Sequence, residues 1–148
     1  MKYPVSFISF VLVAIQLGCL TYLGFTGPWL AVRIELQIWE LSGVFLALAG
    51  LAGLHWKSFS VFPEPKPKGQ LVQTGVYAFI RHPMYAGVLV VCATLIWQYF
   101  SWDRVAAGLV LTAVFLIKIW SEEKFLLAKY PEYHAYCEKT NRLIPFIW

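Results

Sequence analysis

Long apolar runs alternate with short polar segments along this chain, and the length of the runs decides what they can be. The first, from about Pro4 to Phe25, carries no charge and stops at Gly27-Pro28. The second runs from about Gln37 to His55 with Glu40 near its outer end, the third covers residues 83–101 without a charge, and the fourth covers 102–120 with Lys118 inside its inner end. A helix needs roughly 20 mostly apolar residues to cross a bilayer. The pattern therefore predicts an all-α integral membrane protein, a single domain over residues 1–148. Its four transmembrane helices are expected over about 4–25, 37–55, 83–101 and 102–120. Lys118 is expected to snorkel to the interface, and Trp102 and Trp120 stand where an aromatic belt would place them.

Two segments stay outside the apolar runs. The loop 57–82 contains Phe62-Pro63-Glu64-Pro65-Lys66-Pro67-Lys68-Gly69, whose alternating prolines favour extended chain over helix. The tail 121–148 is expected to continue from Glu122 to Lys139 as an amphipathic helix, offering Phe125, Leu126, Tyr133 and Tyr136 to the membrane side. Within the second run, Gly43, Gly50 and Gly53 allow close helix packing, with Gly50 and Gly53 three residues apart on one face. The N-terminal run is longer than the roughly 7–15 apolar residues of a signal peptide, so an uncleaved first helix is expected.

Composition agrees with the pattern. Hydrophobic residues make up 59% of the chain and charged residues 14%, against about 25% charged in soluble domains, too few to cover a water-facing surface. The net charge of +4 raises the question of nucleic acid, and its distribution answers it. With a cytoplasmic N-terminus, Lys2, Lys57, Lys66, Lys68, Arg81, Lys118, Lys124, Lys129, Lys139 and Arg142 lie inside, and Arg33 and Arg104 outside. Ten of the twelve basic residues thus fall on one side, as the positive-inside rule requires. The charge reads as membrane topology with both termini cytoplasmic, and no nucleic-acid partner is expected. Cys19, Cys92 and Cys137 are widely spaced and form no CxxC pair, so they read as inert thiols. His55, His82, His134 and Cys137 match no ligand spacing, and no metal is expected.

The chemically informative stretch runs from Leu71 to Gly87. Thr74 is suited to cap a short helix across Val76 to Arg81. Pro83 disfavours helix at His82 and suits the first turn of the third membrane helix. Arg81 and His82 then sit at the membrane surface beside a helix N-terminus, whose free N–H groups favour an anion. Gly87 would let a ligand approach the backbone. Glu122 and Glu123 directly follow the fourth apolar run and leave the bilayer on the same side, so the two groups could converge on one site. An ion pair such as Arg81 with Glu122 would equally satisfy both without a ligand.

The order Gly75-x-Tyr77-x-x-x-Arg81-His82-Pro83-x-Tyr85-x-Gly87, followed by Glu122-Glu123 and by Tyr133-x-x-Tyr136 and Arg142-Leu143-Ile144-Pro145-Phe146, resembles the isoprenylcysteine carboxyl methyltransferase family. Phospholipid methyltransferases look similar in the same region. The resemblance covers about the second half of the chain. It implies S-adenosylmethionine as cofactor, held by Leu71, Val72, Gly75, Tyr77, His82, Tyr85, Gly87, Glu122 and Glu123. Arg81 is implied as the catalytic residue that orients the acceptor, and the partners as a lipophilic small molecule, lipid or prenylated substrate together with membrane lipids. His82, Arg81 or the amides of the third helix could meet the cofactor's carboxylate, and Glu122 and Glu123 its ammonium and hydroxyls. Tyr77 and Tyr85 could meet the adenine or the sulfonium. The implied activity is methyl transfer to a carboxylate, thiol or amine. Two other readings compete: an NADPH-dependent membrane reductase of the sterol-reductase type, and a non-catalytic membrane subunit of the same fold.

Overall fold

The computed structural model describes residues 5–54, 58–67 and 69–145. Lys2, Lys57 and Lys68, together with His55 and the Phe146 of the closing Pro-Phe pair, lie outside the described residues. Among the described residues the regular structure is helical: α1 Phe7–Phe25, α2 Ile34–Gly53, a 3-10 turn Gly75–Ala78, α3 Pro83–Gln98, α4 Trp102–Lys129 and α5 Tyr133–Lys139. The ends follow local chemistry. Ser6 caps α1 by accepting from the Ser9 amide at 3.1 Å, Pro83 occupies the first turn of α3, and Ser101 caps α4 by accepting from the Arg104 amide at 3.3 Å. Each cap satisfies a donor that the helix itself leaves unpaired.

Helices α1, α2 and α4 are long and apolar enough to cross a membrane. The third, with 16 residues, spans ~24 Å at 1.5 Å per residue, short of the ~30 Å hydrocarbon core. It ends before the expected residue 101 because Gln98 turns toward the α1–α2 connection, donating to the Leu30 carbonyl at 2.9 Å and accepting from the Val32 amide at 2.5 Å. Helix α4 instead outruns its predicted end at Trp120. Its 28 residues reach ~42 Å, so the charged turns from Ser121 onward project beyond the apolar part.

The expected continuous helix from Glu122 to Lys139 is interrupted. Pro131 disfavours helix at the residue before it, and Tyr130 takes an extended conformation that ends α4. The chain then turns and α5 packs back: Tyr133 and Tyr136, expected on the membrane side, are buried, and the Tyr136 hydroxyl donates to the Tyr77 carbonyl at 2.6 Å.

Glycines bring α2 and α3 into backbone contact. A Cβ on Gly43 would stand 2.8 Å from the Gly87 carbonyl oxygen, and one on Gly50 would stand 2.9 Å from the side chains of Pro83 and Met84. Gly43 and Gly50 are two helical turns apart and share the face toward α3. The Gly50–Gly53 spacing does not define that seam, because Gly53 faces the ring of Tyr77 instead. Arg104 is 1% exposed and ties α4 to two helix ends, donating to the Leu23 carbonyl, to Thr26 Oγ1 and to the Leu95 carbonyl at 3.0, 2.6 and 3.0 Å. At the other end of α4, Lys118 does not snorkel outward. It is buried and donates to Gln16 Oε1 of α1 at 2.7 Å and to the Val61 carbonyl at 2.8 Å. The outer surface keeps large apolar side chains exposed, among them Phe7, Phe45, Trp97 and Trp120, as lipid requires.

Candidate functional site

The site is assembled where α3 begins and the apolar part of α4 ends. Gly75 adopts φ +63°, a left-handed value that glycine takes without steric cost, and starts the 3-10 turn. The expected helix from Val76 to Arg81 is replaced by that four-residue turn, and Thr74 gives it no side-chain cap. The reason is tertiary: residues 79–82 pair with the chain's closing segment. Asn141 N–H donates to the Phe79 carbonyl at 3.2 Å, Arg81 N–H to the Asn141 carbonyl at 2.8 Å, and His82 N–H to the Arg142 carbonyl at 3.0 Å. This short pairing fixes the backbone under Arg81 and His82.

Neighbouring residues on a helix point about 100° apart, and Glu122 and Glu123 use that difference. Glu123 turns toward two guanidinium groups, accepting from Arg81 Nε at 2.8 Å and from Arg142 Nε at 2.9 Å. Arg81 Nη1 also donates to the carbonyls of Cys137 and Thr140. The ion pair considered between Arg81 and Glu122 is thus made with Glu123. Glu122 turns the other way and accepts from the Tyr85 hydroxyl. His82 lies between the carboxylates, its Nδ1 3.5 Å from Glu122 Oε2 and its Nε2 3.6 Å from Glu123 Oε1.

The charges set the protonation states. Burial disfavours the charged form of His82, but the close approach of the Glu122 and Glu123 carboxylates outweighs it, and its pKa stands above the ordinary value of 6.5. Burial alone would raise the Glu123 carboxyl. The close approach of His82, hydrogen bonds from Arg81 and Arg142 and the charge of Arg81 instead pull it down to about 2. Glu123 is therefore a carboxylate at any physiological pH, and His82 is biased toward imidazolium.

Beside this cluster lies an open-sided cavity. Leu71, Val72, Tyr77, Arg81, His82, Tyr85 and Glu122 line it, so seven residues singled out from the sequence meet there. Gly75, Gly87 and Glu123 are not in its wall. Gly87 is buried against α2, where a Cβ would come within 2.6 Å of the Ala47 amide nitrogen. Its missing side chain serves helix packing here, rather than the backbone approach to a ligand expected of it. Glu123 holds the two arginines behind the wall.

The cavity also takes in residues that the sequence reading placed elsewhere. Tyr130, Tyr133, Tyr136 and Leu126 come from the end of α4 and from α5, and Glu64 from the proline-rich segment. For Glu64 there was one legible signal, a lone carboxylate between two prolines in an otherwise basic loop. Among the described residues, three side-chain atoms of the wall are buried without a hydrogen-bond partner: Glu64 Oε2, His82 Nε2 and Tyr133 Oη. Unpaired buried polar groups are rare and ask for an explanation. A polar ligand is one, and the lining fits a nucleoside carrying an amino acid: tyrosine rings and aliphatic side chains, an imidazolium for a carboxylate, and carboxylates for an ammonium or hydroxyls.

No curated protein matches the chain. Residues 43–133, over half of its length, do match the phospholipid methyltransferase family. That stretch spans just over half of α2, the proline-rich segment, Arg81-His82-Pro83, α3, and Glu122 and Glu123 of α4, so every cavity-lining residue but Tyr136 falls inside it. A helical membrane bundle whose polar pocket lies within the matched span identifies this chain as a member of the phospholipid methyltransferase family.

Proposed function

We propose that this membrane methyltransferase uses S-adenosylmethionine to methylate a lipophilic acceptor at the cytoplasmic face. The observation that carries the reading is the pairing of His82 with Glu122 in the wall of an open-sided cavity at the α3–α4 end of the bundle. In this reading α3 completes a fourth crossing despite its length, and both termini are cytoplasmic, supported by the ten-to-two division of basic residues.

The cofactor supplies an activated methyl group on a sulfonium. The chain's contribution is binding and alignment, which hold nucleophile, methyl and sulfur in line away from water. His82, biased toward imidazolium, serves as a donor to the cofactor carboxylate rather than as a base. Glu122, oriented by the Tyr85 hydroxyl, accepts from the cofactor's ammonium or hydroxyls. Tyr77 offers a ring face to the adenine or to the cation, an attraction of roughly 0.5–2 kcal/mol, while the Tyr85 ring is stacked on Phe115 and on His82 and contributes its hydroxyl. Arg81 has Nε and Nη1 committed to Glu123 and to carbonyls of 137 and 140, so it orients the acceptor through Nη2. A carboxylate acceptor needs no general base. With an amine or thiol acceptor, the carboxylate nearest the cavity, Glu122, takes the proton.

Titration calorimetry of the detergent-solubilised protein with S-adenosylhomocysteine tests this reading. Saturable binding is expected, abolished by Glu122→Ala. Absence of binding to the wild-type protein at millimolar ligand refutes it.

A further inference from the structure

Part of the cavity wall is built by the proline-rich segment, and one side chain in it has a geometry that neither the loop's fold nor the His82–Glu122 cluster uses. Glu64 is 6% exposed. One of its oxygens, Oε1, accepts from the Ser6 amide at 3.2 Å and from the Ser9 hydroxyl, which joins the loop to the first turn of α1. The other, Oε2, is buried and has no hydrogen-bond partner among the described residues. A latch to α1 would be complete with one oxygen. The second is a desolvated acceptor in the wall of a cavity, a costly arrangement unless something donates to it.

The nearby cation does not fill that role. Lys118 directs its Nζ to Gln16 Oε1 and to the Val61 carbonyl, two neutral acceptors. The loop is also held in place independently of Glu64. Lys129 Nζ donates to the Lys66 carbonyl at 2.7 Å, and the Tyr130 hydroxyl donates to the Gly69 carbonyl. Pro63 and Pro65 on either side restrict the backbone of Glu64 itself. The carboxylate is therefore presented by a braced segment in the wall that Glu122 also lines, with one oxygen satisfied and one not.

We infer that Glu64 is a ligand-binding residue whose Oε2 accepts from an N–H or O–H donor of the bound molecule, an ammonium or a hydroxyl. This deepens the reading of the cavity as a site for S-adenosylmethionine and rests on it. Two parts of that cofactor carry such donors, the amino-acid end and the nucleoside end. S-adenosylhomocysteine has both, and methylthioadenosine has the nucleoside alone.

The test compares wild-type protein, Glu64→Gln and Ser9→Ala by calorimetry in detergent. Glu64→Gln keeps an acceptor for Ser6 and Ser9 and puts a donor in place of Oε2. It is expected to weaken S-adenosylhomocysteine at least tenfold, while Ser9→Ala, which disturbs the latch alone, weakens it less than threefold. Methylthioadenosine then locates the contact: a parallel loss assigns Glu64 to the nucleoside, and an unchanged affinity assigns it to the amino-acid end. In the wild-type protein, carbodiimide labelling of Glu64, followed by peptide mass spectrometry, is expected to slow when S-adenosylhomocysteine is added. That measurement requires no folded variant. Affinity of Glu64→Gln within threefold of wild type, an equal loss in Ser9→Ala, or labelling indifferent to ligand overturns the inference. If the wild-type protein itself fails to bind S-adenosylhomocysteine, the cofactor reading falls first and for its own reason.

Discussion

Replacing Glu123 by glutamine isolates the charge that holds the site's backbone in place. The substitution keeps the shape of the side chain but removes a carboxylate that is 7% exposed and accepts from Arg81 and Arg142 at 2.8 and 2.9 Å. The amide nitrogen must then face one of two guanidinium donors, leaving donor against donor in a place water does not reach. Two routes give the magnitude. The Glu123 carboxyl is held at about 2 against an ordinary 4.5, and at ~1.4 kcal/mol per unit this corresponds to about 3 kcal/mol. Breaking a buried ion pair by removing one partner costs roughly 3–5 kcal/mol in general. The expected loss is therefore about 3 kcal/mol. It can be read as a shift in the detergent-denaturation curve of the purified protein at neutral pH. A cycle with Arg142→Met should be strongly non-additive, because both changes act on one carboxylate. The pH dependence carries the same signature with a definite sign. A lowered carboxyl pKa contributes stability above about 4.5 that is lost as pH falls toward about 2, so Glu123→Gln should flatten that acid limb. Unfolding within 0.5 kcal/mol of wild type, with the acid limb unchanged, would refute the view that this carboxylate holds Arg81 and the closing segment together.

Other expectations concern the parts around it. His82 has a raised pKa, so its contribution to stability is complete below about 6.5 and declines as pH rises through its folded value. His82→Gln should remove that decline from a pH series of thermal unfolding. Gly87→Ala forces a methyl against the Ala47 backbone of α2 and should destabilise the bundle by about 1–3 kcal/mol, the usual range for overpacking. The same denaturation assay reads it, and a neutral result would mean that the α2–α3 seam is loose. Arg104→Met strips three acceptors at the ends of α1 and α3 and should cost about 3 kcal/mol or more, as expected for buried charge-assisted bonds. S-adenosylhomocysteine affinity should change little in that variant, since Arg104 lies at the end of the bundle away from the cavity.

The long uncharged runs determined by themselves that the chain is helical and spans a membrane. Only helices and closed barrels satisfy a backbone in hydrocarbon, and uniformly apolar runs of about 20 residues suit a helix, not the alternating strands of about 10 residues that build a barrel. The order of Arg81-His82-Pro83, Tyr85 and Glu122-Glu123 was enough to expect these side chains together at the end where α3 starts and α4 leaves its apolar part, and there they meet. Pairing was beyond it. Adjacent carboxylates look equivalent in a sequence, and only the rotation of α4 sends Glu123 to the arginines and Glu122 to the cavity. Periodicity likewise assigned Tyr133 and Tyr136 to the membrane, since an amphipathic pattern states which residues share a face but not what that face meets. The break at Pro131 folds α5 back, so the face meets the protein. Glu64 and Lys118 show the same limit. A charge in a loop or near a helix end reads as solvated or snorkelling until long-range contacts, such as those to Ser9 and Gln16 of α1, desolvate it. Composition and run length are local properties that the solvent enforces residue by residue. Which polar groups end up facing one another depends on helix rotation and packing, and those are decided by the whole chain at once.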